Sequence, residues 1–134
     1  MKKNYKILIG THNKGKYREI SQLISKKIKK TSPVFLRIKA PKETGKTFNS
    51  NSKLKANYFF RKSNLISISD DSGLEVSALN NKPGIFSARW SQKYGGFDKA
   101  MQIILKNISN KKNRRARFIC SLSIRINKSK VISS

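Results

Sequence analysis

The feature that most constrains the fold of this chain lies near its start. Tyr5 to Thr11 (YKILIGT) is a short apolar run ending in Gly and Thr, the composition of a buried strand. Lys14 to Ile28 then sets Tyr17, Ile20, Leu23, Ile24 and Ile28 at helical spacing, with Asn13 where an N-cap is expected. A strand, a tight polar turn and a helix open a βα unit, and such units build sheets with helices packed on their faces. The fold class read from this pattern is α/β with a mixed sheet. At 134 residues, 37% of them apolar, the chain fits a single domain spanning 1–134 with a core of its own.

The rest of the chain extends the pattern. Val34 to Ile38 (VFLRI), after Pro33, reads as a second strand, and a polar loop from Lys39 to Lys46 carries Glu43-Thr44-Gly45. Thr47 caps a helix expected over Phe48 to Lys62. Leu65 to Ser69 (LISIS) is a short strand running into Asp70-Asp71-Ser72-Gly73, which reads as a strand-end turn. Leu74, Val76 and Ala78 alternate with polar residues as a further strand. Asn80 to Gly84 is a turn, and Phe97 to Ile108 places Phe97, Ala100, Met101, Ile104 and Ile108 on one helical face. From Phe118 to Ile126 apolar and polar residues alternate, so Phe118, Cys120, Leu122, Ile124 and Ile126 are expected to face inward. Val131 to Ser134 looks like the start of a hairpin partner.

Charge is the loudest feature of the composition. Thirty-one Lys plus Arg against six Asp plus Glu give a net charge of +25, a field that attracts polyanions. Lys, Asn, Ile and Ser crowd the whole chain, and the charge is spread evenly, so the excess reads as compositional and no specific nucleic-acid partner is expected. The aromatics do not interleave with bases in an RNA-binding motif, and Trp90 reads as an anchor. The start, Met1 to Tyr5, leads into an apolar segment (Ile7 to Ile9) too brief for a signal-peptide core, and no apolar run is long enough to span a membrane. A single cysteine excludes an internal disulfide and fits a reducing cytoplasm; Cys120 itself reads as core packing.

Two constellations can carry chemistry. Thr11-His12-Asn13-Lys14-Gly15-Lys16 stands at the strand-to-helix junction, where backbone N–H groups and two ammonium groups favour an anion. The same residues also suit a plain helix cap, and the P-loop spacing is absent. Asp70 and Asp71 stand side by side in a chain poor in acids. Adjacent carboxylates repel, so the pair suggests a bound cation, with Ser72 offering a hydroxyl to phosphate; an Asp-rich turn is the other reading. In the stretch Glu43-Thr44-Gly45, followed by Asn51 and Lys55, Glu43 can complete such a cation site and Lys55 can meet phosphate as a point charge. Arg89 either binds phosphate or ties a loop. His12 is the only histidine, which excludes a multi-histidine metal site.

Together the stretches ILIGTHNKGKYREI at 7–20, ETGKTFNSNSKLKA at 43–56, ISDDSGLEVSALNNKPGIFSARW at 68–90 and RARFICSLSI at 115–124 resemble the inosine triphosphate pyrophosphatase family. The resemblance implies an elongated mixed sheet flanked by helices, usually in a homodimer. It also implies Mg²⁺-dependent hydrolysis of ITP, dITP or XTP to the monophosphate and pyrophosphate. Thr11, His12, Asn13, Lys14, Gly15 and Lys16 would then cradle the triphosphate, with Lys55 and Ser72 also on substrate. Asp71 would be general base and metal ligand, Glu43 the second ligand, and Asp70 their support. His12 departs from a common Gly, and Ser50 and Ser52 stand where Glu and Ala are common. The family continues with a Gly-Phe-Gly-Tyr-Asp segment and a Ser-His-Arg segment that this sequence lacks, so the expectation is a pyrophosphatase domain without its C-terminal portion. An inactive remnant of that enzyme and a basic nucleic-acid-binding protein are the alternatives.

Overall fold

Strand β1 (Lys6–Ile9) is buried over its last three residues and lies between two parallel neighbours. One is β2 (Lys29–Thr31), with Leu8 opposite Thr31; the other is β3 (Ile66–Val76), with Ile9 opposite Ile68. β3 is followed in the sheet by β5 (Ala116–Asn127) and β6 (Lys130–Ser133), so the order is β2-β1-β3-β5-β6. β5 and β6 form an antiparallel hairpin with Ile124 opposite Ile132. Parallel and antiparallel pairs in one sheet, with helices between strands, make the fold a mixed α/β fold.

The computed structural model describes residues 5–134. The chain forms two compact units, Met1–Asp71 with Ser121–Ser134, and Ser72–Cys120. In the first unit, helix α1 (Lys14–Leu23) follows β1 directly. Asn13 caps it, accepting the Lys16 N–H at 3.0 Å. α1 ends five residues short of the expected Ile28. Ile24 is already extended, and Ser25 starts a turn through the Ile28 N–H and, by its hydroxyl, the Lys27 N–H. That turn frees Lys29–Thr31 to pair with β1.

The strand expected over Val34 to Ile38 does not form; β2 lies just before it. Ser32 and Pro33 start a helical turn instead. The Ser32 hydroxyl accepts the Phe35 N–H at 3.1 Å, its carbonyl accepts the Leu36 N–H, and Arg37 closes the turn at φ 58°. Proline supplies the φ of a first helical position, so it favours this turn over an extended run. Val34 and Phe35 are left exposed.

Helix α2 (Phe48–Ser63) begins at Thr47 with a reciprocal capping box: the Thr47 side chain accepts the Ser50 N–H and the Ser50 hydroxyl accepts the Thr47 N–H. Ser50, standing where Glu is common in the resembled family, therefore still completes the cap. Asn64, in the left-handed region, ends the helix. Phe59 and Ala56 of α2 are fully buried, as are Leu8 and Ile9 of β1. The large ones among them each contribute roughly 1.5–3 kcal/mol by burial.

The alternation over β5 is present but its phase is reversed. Ser121 and Ser123 are buried, whereas Phe118 and Cys120 are exposed. Ser52 of α2 explains the exchange, because its hydroxyl lies 3.1 Å from that of Ser121 and 2.7 Å from that of Ser123. Hydroxyls that satisfy one another can be buried and let a helix come close to a strand. Cys120 is not a core residue.

The second unit holds the end of β3, the two-residue strand β4 (Lys82–Pro83) paired with it, α3 (Ser87–Tyr94) and α4 (Phe97–Asn107). Its core is Val76, Ile104 and Ile108, with Leu74, Ala78, Leu79 and Trp90 packed against it; Trp90 is the anchor it was expected to be. α3 was not foreseen from the sequence. It carries Arg89 above the Phe86 ring at 5.0 Å, on a helix and not in the loop expected there. No helix among the described residues is long and apolar enough to cross a membrane.

Candidate active site

The expected turn at Asp70-Asp71-Ser72-Gly73 does not exist: all four residues lie within the eleven-residue strand β3. Successive side chains of a strand leave by opposite faces. Asp70 and Asp71 therefore avoid mutual repulsion by geometry and find different partners. Lys16 Nζ, from the first turn of α1, donates to Asp70 Oδ2 at 2.8 Å. Asp71 hydrogen-bonds the side chain of Asn51 in α2.

Asn51 stands out in the sequence beside Glu43 and Lys55, but its role becomes visible only in the fold. It is fully buried in the first turn of α2, and its Oδ1 accepts the Gly45 N–H at 2.7 Å. The oxygen is thereby committed to Gly45, which turns the amide N–H₂ toward the Asp71 carboxylate. Gly45 must be glycine for this approach, because an added Cβ would lie 2.4 Å from Ser50 Oγ and 2.5 Å from Asn51 Oδ1. One amide thus ties the Glu43-Thr44-Gly45 loop to the middle of the sheet. Its signal in the sequence was only its spacing, eight residues after Glu43 and four before Lys55.

Lys55, one turn further along α2, donates to Glu43 Oε1 at 3.2 Å. Glu43, Lys55 and Lys16 all act electrostatically on Asp71, so Thr11–Lys16, the Glu43 loop, the start of α2 and β3 converge on that carboxylate. Burial, reinforced by the negative charge of Glu43, pushes the Asp71 pKa up to about 6. The Asn51 hydrogen bond and the two lysines oppose the rise without cancelling it. Asp71 Oδ2 is buried and has no hydrogen-bond partner.

The remaining expected residues divide. Thr11 is buried and its hydroxyl accepts the Asn13 N–H at 3.1 Å, so its side chain shapes the turn. Asn13 is occupied as the cap. His12 Nε2 lies 2.9 Å from the Ile38 carbonyl and holds that loop. Lys14 and Gly15 are exposed at the amino end of α1, where backbone N–H groups and an ammonium are open to an anion. Ser72 follows Asp71 on β3, half-buried, as the first residue of the second unit.

Among the described residues no three His, Cys, Asp or Glu side chains gather into a ligand set. Glu43 and Asp71 are two carboxylates that act on one another electrostatically. That is the donor set of Mg²⁺, which keeps water and takes its other ligands from phosphates. The unpartnered Asp71 Oδ2 is an oxygen such an ion would satisfy.

The Ham1 family profile matches residues 7–133. A dITP/XTP pyrophosphatase of Zymomonas mobilis is 37% identical over 123 residues, 89% of this chain and 59% of its own length. One of Haemophilus influenzae is 40% identical over 117 residues, 85% of this chain and 60% of its own. Among solved structures, the Staphylococcus aureus Ham1 protein superposes with a TM-score of 0.80 at 32% identity, over 96% of this chain and 67% of its own. The nucleoside-triphosphatase / dITP/XTP pyrophosphatase of Mycobacterium abscessus gives 0.81 at 29% identity, over 96% and 70%. The chain spans about 60% of the length of these curated relatives.

Proposed function

Because the chain belongs to the Ham1 family, we propose that it acts on non-canonical purine nucleoside triphosphates, ITP, dITP or XTP, releasing the monophosphate and pyrophosphate with Mg²⁺. Relatives named dITP/XTP pyrophosphatase support the substrate class. The observation that carries the reading is Asp71: a buried carboxylate with a pKa near 6 and a free oxygen, beside a second carboxylate and two lysines.

In this reading the amino end of α1, with Lys14 and Lys16, binds the phosphate chain. Lys55 adds charge from α2. Glu43 and Asp71 would hold Mg²⁺, which when bound neutralises phosphate charge and favours the developing negative oxygens. Asp71 accepts a proton from water as the water oxygen bonds to the α-phosphorus. The bond from that phosphorus to the bridging oxygen breaks, and pyrophosphate leaves. A base with a pKa near 6 is ionised at neutral pH yet still basic enough to take the proton. Asn51 and Asp70 position: Asn51 orients the Asp71 carboxylate, and Asp70 fixes Lys16.

The exposed, unpaired Cys120 favours a reducing, cytoplasmic setting, and a homodimer follows from the resemblance. The test is pyrophosphate release from ITP with and without Mg²⁺, with ATP as the comparison. Mg²⁺-dependent release that favours ITP and is lost in Asp71→Asn is the expected result. Turnover unchanged in Asp71→Asn would overturn the general-base role.

A further inference from the structure

A second set of groups with nucleotide-binding chemistry lies within Ser72–Cys120, in residues the hydrolase reading does not use. A cavity of about 390 Å³ is lined by Trp90 together with Asn80, Asn107, Lys82 and Lys111, over a floor of Ala78 and Leu79. Trp90 rests on the Val76, Ile104 and Ile108 core, so its ring is fixed in place. Among the described residues, the side-chain amides of Asn80 and Asn107 make no hydrogen bond, and Lys82 and Lys111 form no ion pair. A fixed indole, two available amides and two available ammonium groups suit a flat heteroaromatic ring that carries phosphate.

Charge extends the cavity in one direction. Lys111 begins the run Lys111-Lys112-Asn113-Arg114-Arg115, exposed throughout. This unit holds ten Lys and Arg against two acids, Glu75 and Asp98. Glu75 is already paired with Arg117 at 2.9 Å, and among the described residues no member of the run forms an ion pair. A single nucleotide would use the cavity alone. A strand would use the cavity for one base and the run for its successive phosphates.

We propose that this surface binds single-stranded nucleic acid, one base packing against Trp90 and the backbone following Lys111 to Arg115. The pairing of a stacking aromatic with a cationic track is the physical basis of sequence-tolerant single-strand binding. The inference is independent of the hydrolase reading, since Glu43, Lys55 and Asp71 belong to the other unit.

Trp90 is the only tryptophan of the chain, so its fluorescence reports the cavity directly. Titration of the full chain with an oligothymidylate of about ten nucleotides is expected to quench that emission. Affinity should fall with salt at a log–log slope of about −3, for four phosphates at about −0.7 each. In anisotropy with a labelled oligomer, Trp90→Leu is expected to weaken binding at least fivefold or so. Lys111→Glu with Arg114→Glu, confined to an exposed loop and so indifferent to folding, should weaken it roughly tenfold or more and flatten the salt slope. Inorganic polyphosphate of matched charge displacing the oligomer equally well, with Trp90 emission unmoved, would overturn the proposal. So would uridine monophosphate quenching Trp90 as strongly, per nucleotide, as the strand does, because the site would then take a free nucleotide. Unchanged affinity in the double charge variant would sink it as well.

Discussion

Asn51 and Asp71, twenty residues apart, share a buried side-chain hydrogen bond whose direction is set by a third group, the Gly45 N–H, held at 2.7 Å by Asn51 Oδ1. With its oxygen occupied, the amide has only its N–H₂ to offer, and the carboxylate is fixed with one oxygen toward Asn51 and the other, Oδ2, unpartnered. In the mechanism proposed above, the readiness of Asp71 rests on that arrangement.

Removing Asn51 should therefore act on Asp71 at a distance. Asn51→Ala deletes the one hydrogen bond that draws the Asp71 pKa down and leaves the Gly45 N–H without its acceptor. The loss of a buried bond costs about 1–3 kcal/mol. The carboxyl titration of Asp71, followed by NMR, should move above 6. A titration that stayed in place would show that Asn51 does not control the carboxylate.

The raised pKa has a definite sign for stability. The folded state holds the Asp71 proton more tightly than the unfolded chain, whose value is the ordinary 3.8. Its contribution is thus fully present below pH 4 and is lost as pH rises through about 6. Asp71→Asn, which cannot ionise, should be more stable than the native chain at pH 7 without metal, by up to about 3 kcal/mol. The same variant should lose pyrophosphate release by about 10²–10⁴-fold. Thermal melts of the two proteins at pH 4 and pH 7 give the first comparison: the gap should open with pH.

Metal binding should follow the same proton. Mg²⁺ needs the ionised carboxylate, so its affinity should fall up to about tenfold per unit as pH drops below 6 and level off above it. Calorimetric titration across pH 5–8 measures this. Glu43→Gln should weaken Mg²⁺ binding and also lower the Asp71 pKa, because the charge of Glu43 helps to raise it. A pH-independent affinity would place the cation elsewhere.

Gly10 is required by packing alone. A Cβ there would lie 2.3 Å from Ser69 Oγ and 2.4 Å from Phe59 Cδ2, both in buried side chains. Gly10→Ala should cost about 1–3 kcal/mol, which a chemical-denaturation midpoint would register. Ser52→Ala gives a milder case: it removes the hydroxyl shared by Ser121 and Ser123 but leaves a residue that fits the space, for a loss near 1 kcal/mol.

Local sequence was enough for β1, for the caps at Asn13 and Thr47, for helices α2 and α4 and for the β5–β6 hairpin, while of the stripe expected on α4 only Ala100, Ile104 and Ile108 are buried and Phe97 and Met101 are exposed. These depend on residues within a turn or two of one another, where periodicity and cap chemistry act directly. Four motifs in order also carried the family. Tertiary structure decided the rest. Whether Asp70-Asp71-Ser72-Gly73 is a turn or the centre of a long strand depends on which strands lie beside it, and in the sheet β3 stands between β1 and β5. Which face of β5 turns inward depends on Ser52, about seventy residues away, because alternation marks two faces without saying which one is covered. Asn51 stood out in the sequence beside Glu43 and Lys55, but its role did not, for the same reason: an amide reveals its part only when the groups it bonds, Gly45 and Asp71, are brought to it by the fold.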